Sequence, residues 1–323
     1  MRAFRPEADM KQIVVAIGGN ALLPAGEAAD AASQRRRIER TSARLAELVQ
    51  AGYDLVVTHG NGPQVGNILV QNEETRHLVP AMPLDVCGAE SQAQIGYLLA
   101  QSLRNEFADR GIERDVACVI TQVLVDADDP AFANPTKPIG PYYAREDEII
   151  VKRAKGWKMV FDQRGGWRRV VPSPHPLGVI EKDIIARLVG NGDGRVVIAA
   201  GGGGIPVVRR GGRLVGVEAV IDKDLAAAVL ARGLGWKHLV IATDVPQVAL
   251  NFGKPTQQSL DRMTIAEAKK HLAAGQFPTG SMGPKVEAAI EFLQGGGERV
   301  VITDLEHLGP SVDGKAGTRV VPK

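Results

Sequence analysis

The sequence predicts an α/β fold built on a mostly parallel sheet with helices packed on both faces. Three observations predict it. Six short apolar runs, "QIVVAI" (12–17), "DLVVTH" (54–59), "DVACVIT" (115–121), "RVVIAA" (195–200), "HLVIAT" (238–243) and "RVVITD" (299–304), lack the polar alternation of half-exposed strands, as strands covered on both faces do. Segments of helical period stand between them. Glycine-rich turns follow several of the runs, as they do at the carboxyl edge of a parallel sheet, where ligands gather.

Taken in order, the first run empties into "GGNAL" (18–22), and Ile38, Leu45, Leu48 and Val49 then make one helical stripe. In that helix Arg35-Arg36-Arg37 is expected to be a solvated face. The second run empties into "THGNGPQVG" (58–66), whose His59 is expected to cap or pack the loop rather than act as a base. After the third run the alternation breaks. Residues 126–176 are rich in Asp, Pro and Gly, and "GWKMVFDQRGGWRRVVPSP" (156–174) predicts a hairpin turning at Gly165-Gly166, so this stretch is expected to be an inserted arm. The fourth run meets Gly201, Gly202, Gly203 and Gly204, four residues of maximal backbone entropy that a chain keeps only where side chains are not tolerated. Near the end, Val286, Ala289, Ile290 and Leu293 form a second helical stripe halted by "GGG" (295–297).

Composition limits the function classes. With 323 residues, 44% of them hydrophobic, the chain can bury a large core, and its net charge of +2 provides no field for nucleic acid or an anionic membrane. An anionic ligand must be held locally. "MRAFRPEADMKQ" has no apolar signal core and no run approaches a membrane span, so a cytoplasmic location is expected, with residues 1–10 as a flexible extension. Cys87 and Cys118 have neither a CxxC spacing nor a histidine cluster beside them, and are expected to be buried thiols rather than metal ligands.

The three glycine turns together predict an anion cradle, because backbone N–H groups and helix N-termini bind phosphate without basic side chains. Neither GxGxxG nor GxxxxGK[ST] is present. Lys137 in "NPTKPIGP", Lys223 in "AVIDKDLA" and Lys285 in "GSMGPKVEAA" sit at stiff or helix-starting positions. Fixed cations with backbone donors are what phosphoryl transfer requires. No nucleophilic triad or paired-carboxylate spacing competes.

In order and spacing, "VAIGGNAL", "THGNGPQVGN", "AMPLDVCGAESQAQIGY", "TQVLVDADDPAFANPTKPIGP", "WRRVVPSPHP", "AAGGGGIPVV", "GVEAVIDKDLA" and "GSMGPKVEAAIEF" resemble the carbamate kinases of the amino acid kinase family. The resemblance runs from about Lys11 to the C-terminus. It implies one domain over 1–323, a three-layer α/β/α sandwich around a mainly parallel sheet of about eight strands, a protruding arm at 126–176, and a homodimer. It also implies that Gly18, Gly19 and Asn20 hold the transferring phosphoryl group, with Gly60, Asn61 and Gly62 beside carbamate. Lys137, Lys223 and Lys285 would neutralise the phosphates, Asp224 would direct the lysines, and Thr243, Asp244, Met282 and Gly283 would border the nucleotide. ATP or ADP would bind with Mg²⁺ held mainly by the phosphates, without a metal site of the protein's own.

Carbamate is small, planar and polar, so some of Gly201 to Gly204 are expected to bring bare backbone to carbamoyl phosphate. The expected reaction is direct in-line transfer between carbamoyl phosphate with ADP and carbamate with ATP, running toward ATP because carbamoyl phosphate is a mixed anhydride. Two other readings stand beside it. A non-catalytic small-molecule-binding regulator would keep the glycines but could lose the lysines, and a nucleotide-dependent oxidoreductase should show GxGxxG after the first strand.

Overall fold

The computed structural model describes residues 11–22, 30–162, 165–190, 194–278 and 280–323; the expected extension at 1–10 lies outside the described residues. An eight-stranded sheet forms the centre, in the order β15 (Arg262–Thr264), β17 (Thr318–Val321), β16 (Arg299–Asp304), β12 (His238–Thr243), β1 (Gln12–Ile17), β2 (Asp54–His59), β9 (Val196–Ile198), β3 (Val116–Cys118). Strands β16 through β3 are parallel, whereas β17 runs against β16 and carries β15 with it.

Strand β1 explains why the runs are unbroken. Its Val14 and Ala16 face one apolar core and its Ile13, Val15 and Ile17 the other, all fully buried. The first core is closed by α6 (Lys182–Val189), α7 (Lys223–Gly233), α8 (Ile265–Ala273) and α9 (Met282–Gln294), through residues such as Ile185, Leu230, Ala268 and Val286. The second is closed by α1 (Gly19–Leu22), α2 (Ala31–Gln50), α4 (Leu84–Arg110) and α10 (Leu308–Val312). Both predicted stripes, on α2 and α9, are buried, each large side chain contributing about 1.5–3 kcal/mol. Helix α9 ends where the glycines begin: Gly296 adopts φ 96° and its N–H meets the Leu293 carbonyl at 3.2 Å.

Two predicted strands are shorter than the runs that announced them. The run 115–121 holds only β3 in the main sheet: at Thr121 the backbone N–H donates to Gln92 Oε1 at 2.9 Å, and the carbonyl accepts from Gln92 Nε2 at 3.0 Å and from the Ile205 N–H at 2.9 Å, outside that sheet. The chain then enters a second sheet, ordered β11 (Arg213–Gly216), β10 (Ile205–Arg210), β4 (Gln122–Val125), β8 (Pro176–Val179). The run 195–200 narrows to β9, since Ala200 turns to φ 52° and donates its N–H to Thr121 Oγ1 at 3.0 Å. Cys87 is buried, but Cys118 is exposed, because β3 is the edge of the sheet. Arg35 and Arg36 are exposed on α2 and Arg37 is half-buried.

A third sheet, ordered β5 (Lys137–Tyr143), β7 (Gly166–Val171), β6 (Lys158–Asp162), lies within the stretch expected to be an arm, together with α5 (Glu146–Ala154). Strands β6 and β7 pair antiparallel from Lys158 with Val170 to Asp162 with Gly166, so the expected hairpin is present but Gly166 belongs to the ladder rather than to the turn, part of which (163–164) lies outside the described residues. Its base meets α3 (Gly62–Thr75) through an apolar seam of Val65, Leu69, Ile139 and Val171. A short hairpin of β13 (Ala249–Leu250) and β14 (Gln258–Ser259) completes the elements.

Candidate active site

Because β1, β2, β9 and β12 are parallel, the turns after them open on one edge of the sheet. The turns after β1 and β2 touch through backbone. Gly60 donates its N–H to the Ile17 carbonyl at 3.0 Å, and a Cβ on Gly60 would lie 2.9 Å from Gly19 N and 3.5 Å from Lys223 Cδ. Gly19, Gly60 and Lys223 are thereby brought together. Gly18 is held against β12, its N–H 3.0 Å from the Ala242 carbonyl, and Asn20 follows it in α1.

The four glycines after β9 are required by their neighbours. A Cβ on Gly201 would lie 2.4 Å from His59 Nε2, on Gly202 2.1 Å from Asn61 Nδ2, on Gly203 2.3 Å from the Ile221 carbonyl, and on Gly204 2.2 Å from Val123 Cγ2. This turn therefore packs under the β2 loop and under the irregular segment leading to Asp222. Asn61 does not cap α3 with its side chain. Its Nδ2 donates to Ser91 Oγ at 2.8 Å, so the first N–H groups of α3 have no side-chain cap, and α9 likewise begins uncapped at Ser281. Uncapped helix N-termini are anion-binding positions.

The charged centre sits at the start of α7. Asp222 caps that helix, Oδ1 accepting from Asp224 N at 2.9 Å, while its Oδ2 accepts from Lys137 Nζ at 2.6 Å. Asp224 accepts from Lys223 through Oδ1 and from Lys285 Nζ through Oδ2 at 2.8 Å. Three ammonium groups share these two carboxylates, and Asp244 adds a further negative charge near Lys285. Burial alone would raise the Asp224 carboxyl, but Lys223 and Lys285 outweigh it and hold the group far below its ordinary value. Burial pushes the Lys223 ammonium below its usual range despite Asp224; Lys285, also penalised by burial, is carried above its range by Asp224. Asp222 stays low because Lys137 overcomes its burial.

His59 is buried and its pKa falls to about 4 through desolvation. Its Nδ1 lies 3.1 Å from the Gly60 carbonyl, which can only accept, so Nδ1 carries the proton and the ring is neutral. It packs the loop, as its surroundings in sequence led us to expect. Thr243 closes β12 and Asp244 follows; Asp244 is near enough to Lys285 to raise it electrostatically. Met282 and Gly283 open α9, with Gly283 N donating to the Pro278 carbonyl at 2.9 Å.

Sequence reasoning directed Asp224 to the lysines and missed that Lys137 belongs to Asp222. The helix-capping role of Asp222 had a local signal in "VIDKD"; its partnership across 85 positions had none. Gln92 and Ser91, which hold the two loops, were also missed.

A model described as "Amino acid kinase family" matches residues 11–304. Among similar proteins, the carbamate kinase of Thermococcus kodakarensis is 47% identical over 315 residues, covering 97% of this chain and 99% of that one. That of Halobacterium salinarum is 50% identical over 317 residues, with coverage of 97% and 99%. The structure of Giardia lamblia carbamate kinase bound to AMP-PNP superposes with a TM-score of 0.88 at 42% identity, covering 96% of this chain and 98% of that one. The chain belongs to the amino acid kinase family, and to the carbamate kinases within it. The oxidoreductase reading is thereby set aside, and the expected fold class holds.

Proposed function

We propose that the chain transfers a phosphoryl group reversibly between carbamoyl phosphate with ADP and carbamate with ATP, directly and in line. The observation that carries this reading is the buried cluster in which Asp222 and Asp224 hold three lysines beside uncapped helix ends. In the free protein the carboxylates occupy the ammonium groups. Arriving phosphates offer more negative charge than two carboxylates, so Lys223 and Lys285 turn to them, and Lys137 approaches from the arm. The Gly18 and Gly60 N–H groups are held by the Ala242 and Ile17 carbonyls, so it is the residues that follow them in the two turns, Gly19 and Asn20, and Asn61 and Gly62, whose backbone N–H groups meet the phosphoryl group and carbamate. Backbone of the 201–204 turn completes the cradle, while Thr243, Asp244, Met282 and Gly283 border the nucleotide. Transfer runs toward ATP, given the high transfer potential of carbamoyl phosphate.

Mg²⁺ would accompany the nucleotide, held mainly by the nucleotide's phosphates, and would supply charge neutralisation there. Asp222 and Asp224 are already engaged by ammonium groups, and no cluster of three potential metal-ligating side chains occurs among the described residues. No helix of the described residues is long and apolar enough to cross a membrane, and the reading includes a cytoplasmic enzyme acting on small molecules. It also includes a homodimer, for which the exposed Val86 and Tyr97 of α4 and Ile120 beyond the edge strand offer an apolar face. Sedimentation of a single monomeric species would remove that part.

The deciding experiment supplies carbamoyl phosphate chiral at phosphorus together with Mg·ADP. ATP formation with net inversion is expected. Absence of ATP would exclude the activity, and net retention or a phosphorylated protein trapped without ADP would exclude direct transfer.

A further inference from the structure

Under the arm, α3 and β5 meet backbone to backbone at two glycines given no role so far. A Cβ on Gly66 would lie 2.0 Å from Gly140 Cα and 2.3 Å from Gly140 N, so the two elements reach this spacing only because residue 66 has no side chain. Gly140 adopts φ 72°, open to glycine at little strain. From β7, the Arg168 guanidinium donates twice to the Gly140 carbonyl, at 3.1 and 2.9 Å. Ile139, 1% exposed, is buried in one seam with Val65 and Leu69 of α3.

The same strand begins at Lys137, three residues upstream, with Pro138 between them fixing its own φ. Lys137 Nζ reaches Asp222 at 2.6 Å, and Asp222 caps the helix that carries Lys223 and Asp224. Residues 137–139 are stiffened by Pro138 and paired to β7, and the register shifts just beyond Ile139, so a displacement of Gly140 falls on the short paired segment that carries Lys137.

We propose that the Gly66–Gly140 contact is the device that positions Lys137, setting how far its ammonium enters the phosphate cluster. Gly66 is thus a positioning residue that touches no substrate and acts on the transfer step through Lys137. The proposal rests on the reading of Lys137 given above. A methyl group at 66 must force the two backbones apart by about 1–2 Å, and misplacement on that scale costs on the order of 10²-fold in rate.

The test is a cycle of Gly66→Ala and Lys137→Ala, measuring ATP formation from carbamoyl phosphate and ADP, with ADP affinity determined by calorimetry. Gly66→Ala alone is expected to lower kcat about 10- to 100-fold with ADP affinity changed less than about twofold. In the Lys137→Ala background the same change should alter kcat less than about twofold. Equal losses in both backgrounds would overturn the proposal, because a general structural defect does not depend on Lys137. Unchanged kcat in Lys137→Ala by itself would instead strike at the role given to that lysine. Should Gly66→Ala fail to fold, Arg168→Met loosens the hold on Gly140 from β7. Its loss must likewise vanish without Lys137, and additive losses would count against the proposal.

Discussion

Asp224 Oδ2 lies 2.8 Å from Lys285 Nζ, and this bond joins the first turns of α7 and α9 across the charged end of the site. The other oxygen of the same carboxylate holds Lys223. One side chain therefore fixes a cation of its own helix and a cation of the neighbouring one, and its removal should be felt in stability as well as in rate.

Asp224→Asn leaves two nearly buried ammonium groups without their counter-charge. Unfolding stability is expected to fall by about 3 kcal/mol, the usual scale for stranding a buried charge. Mg·ADP should restore more of the melting temperature in the variant than in the parent, since its phosphates replace the missing carboxylate. Equal nucleotide-induced shifts, read by scanning calorimetry, would contradict this.

Lys223→Ala and Lys285→Ala remove charge that the transition state needs more than the ground state does. Each should lower kcat by about 10²-fold or more in a folded protein. Steady-state assays alongside far-ultraviolet circular dichroism check it, and near-normal turnover in either variant would dismantle the cluster's assigned role.

His59 makes stability depend on pH in a defined direction. Its pKa drops from 6.5 to about 4 on burial, so between those values the unfolded chain takes up a proton that the folded one refuses. Stability should thus rise with pH across that window, by about 3 kcal/mol in total from this group. Urea unfolding at a series of pH values should show a flatter profile for His59→Gln; identical slopes would mean that His59 is not the group responsible.

Gln64 lies 3% exposed in the first turn of α3, and neither its Nε2 nor its Oε1 has a hydrogen-bond partner. Burying an amide unpaired is costly. Gln64→Leu keeps most of the volume and is expected to raise stability by about 1–2 kcal/mol, measured by denaturant midpoint at constant m-value. A destabilised variant would show that the amide is satisfied in solution.

The fold was legible where burial alone decides it. The runs 12–17, 54–59, 238–243 and 299–304 coincide with β1, β2, β12 and β16, because strands apolar on both faces carry their own signal. The second sheet was not legible: Ile205 pairs with Gln122, and nothing local to either announces the other. The reversed β17 was missed for the same reason, as direction is set by the neighbour that a strand meets. In the site, glycines and lysines were visible as residue types. The partners that fix them, Asp222 for Lys137 and Asn61 for Gly202, are separated by long stretches of chain and emerge only from packing.

The position of β1 has a consequence for how the molecule comes to exist. Made first, it lies in mid-sheet, pairing Ile13 with Leu55 on one side and with His238 on the other. The second neighbour leaves the ribosome more than two hundred residues later, an interval of about 10–50 s at ordinary translation speeds. Throughout it, one edge of a strand made to be buried on both faces stands open, a template for pairing with other nascent chains. Folding is therefore dominated by contacts of long sequence separation, slow to form and exposed to aggregation meanwhile.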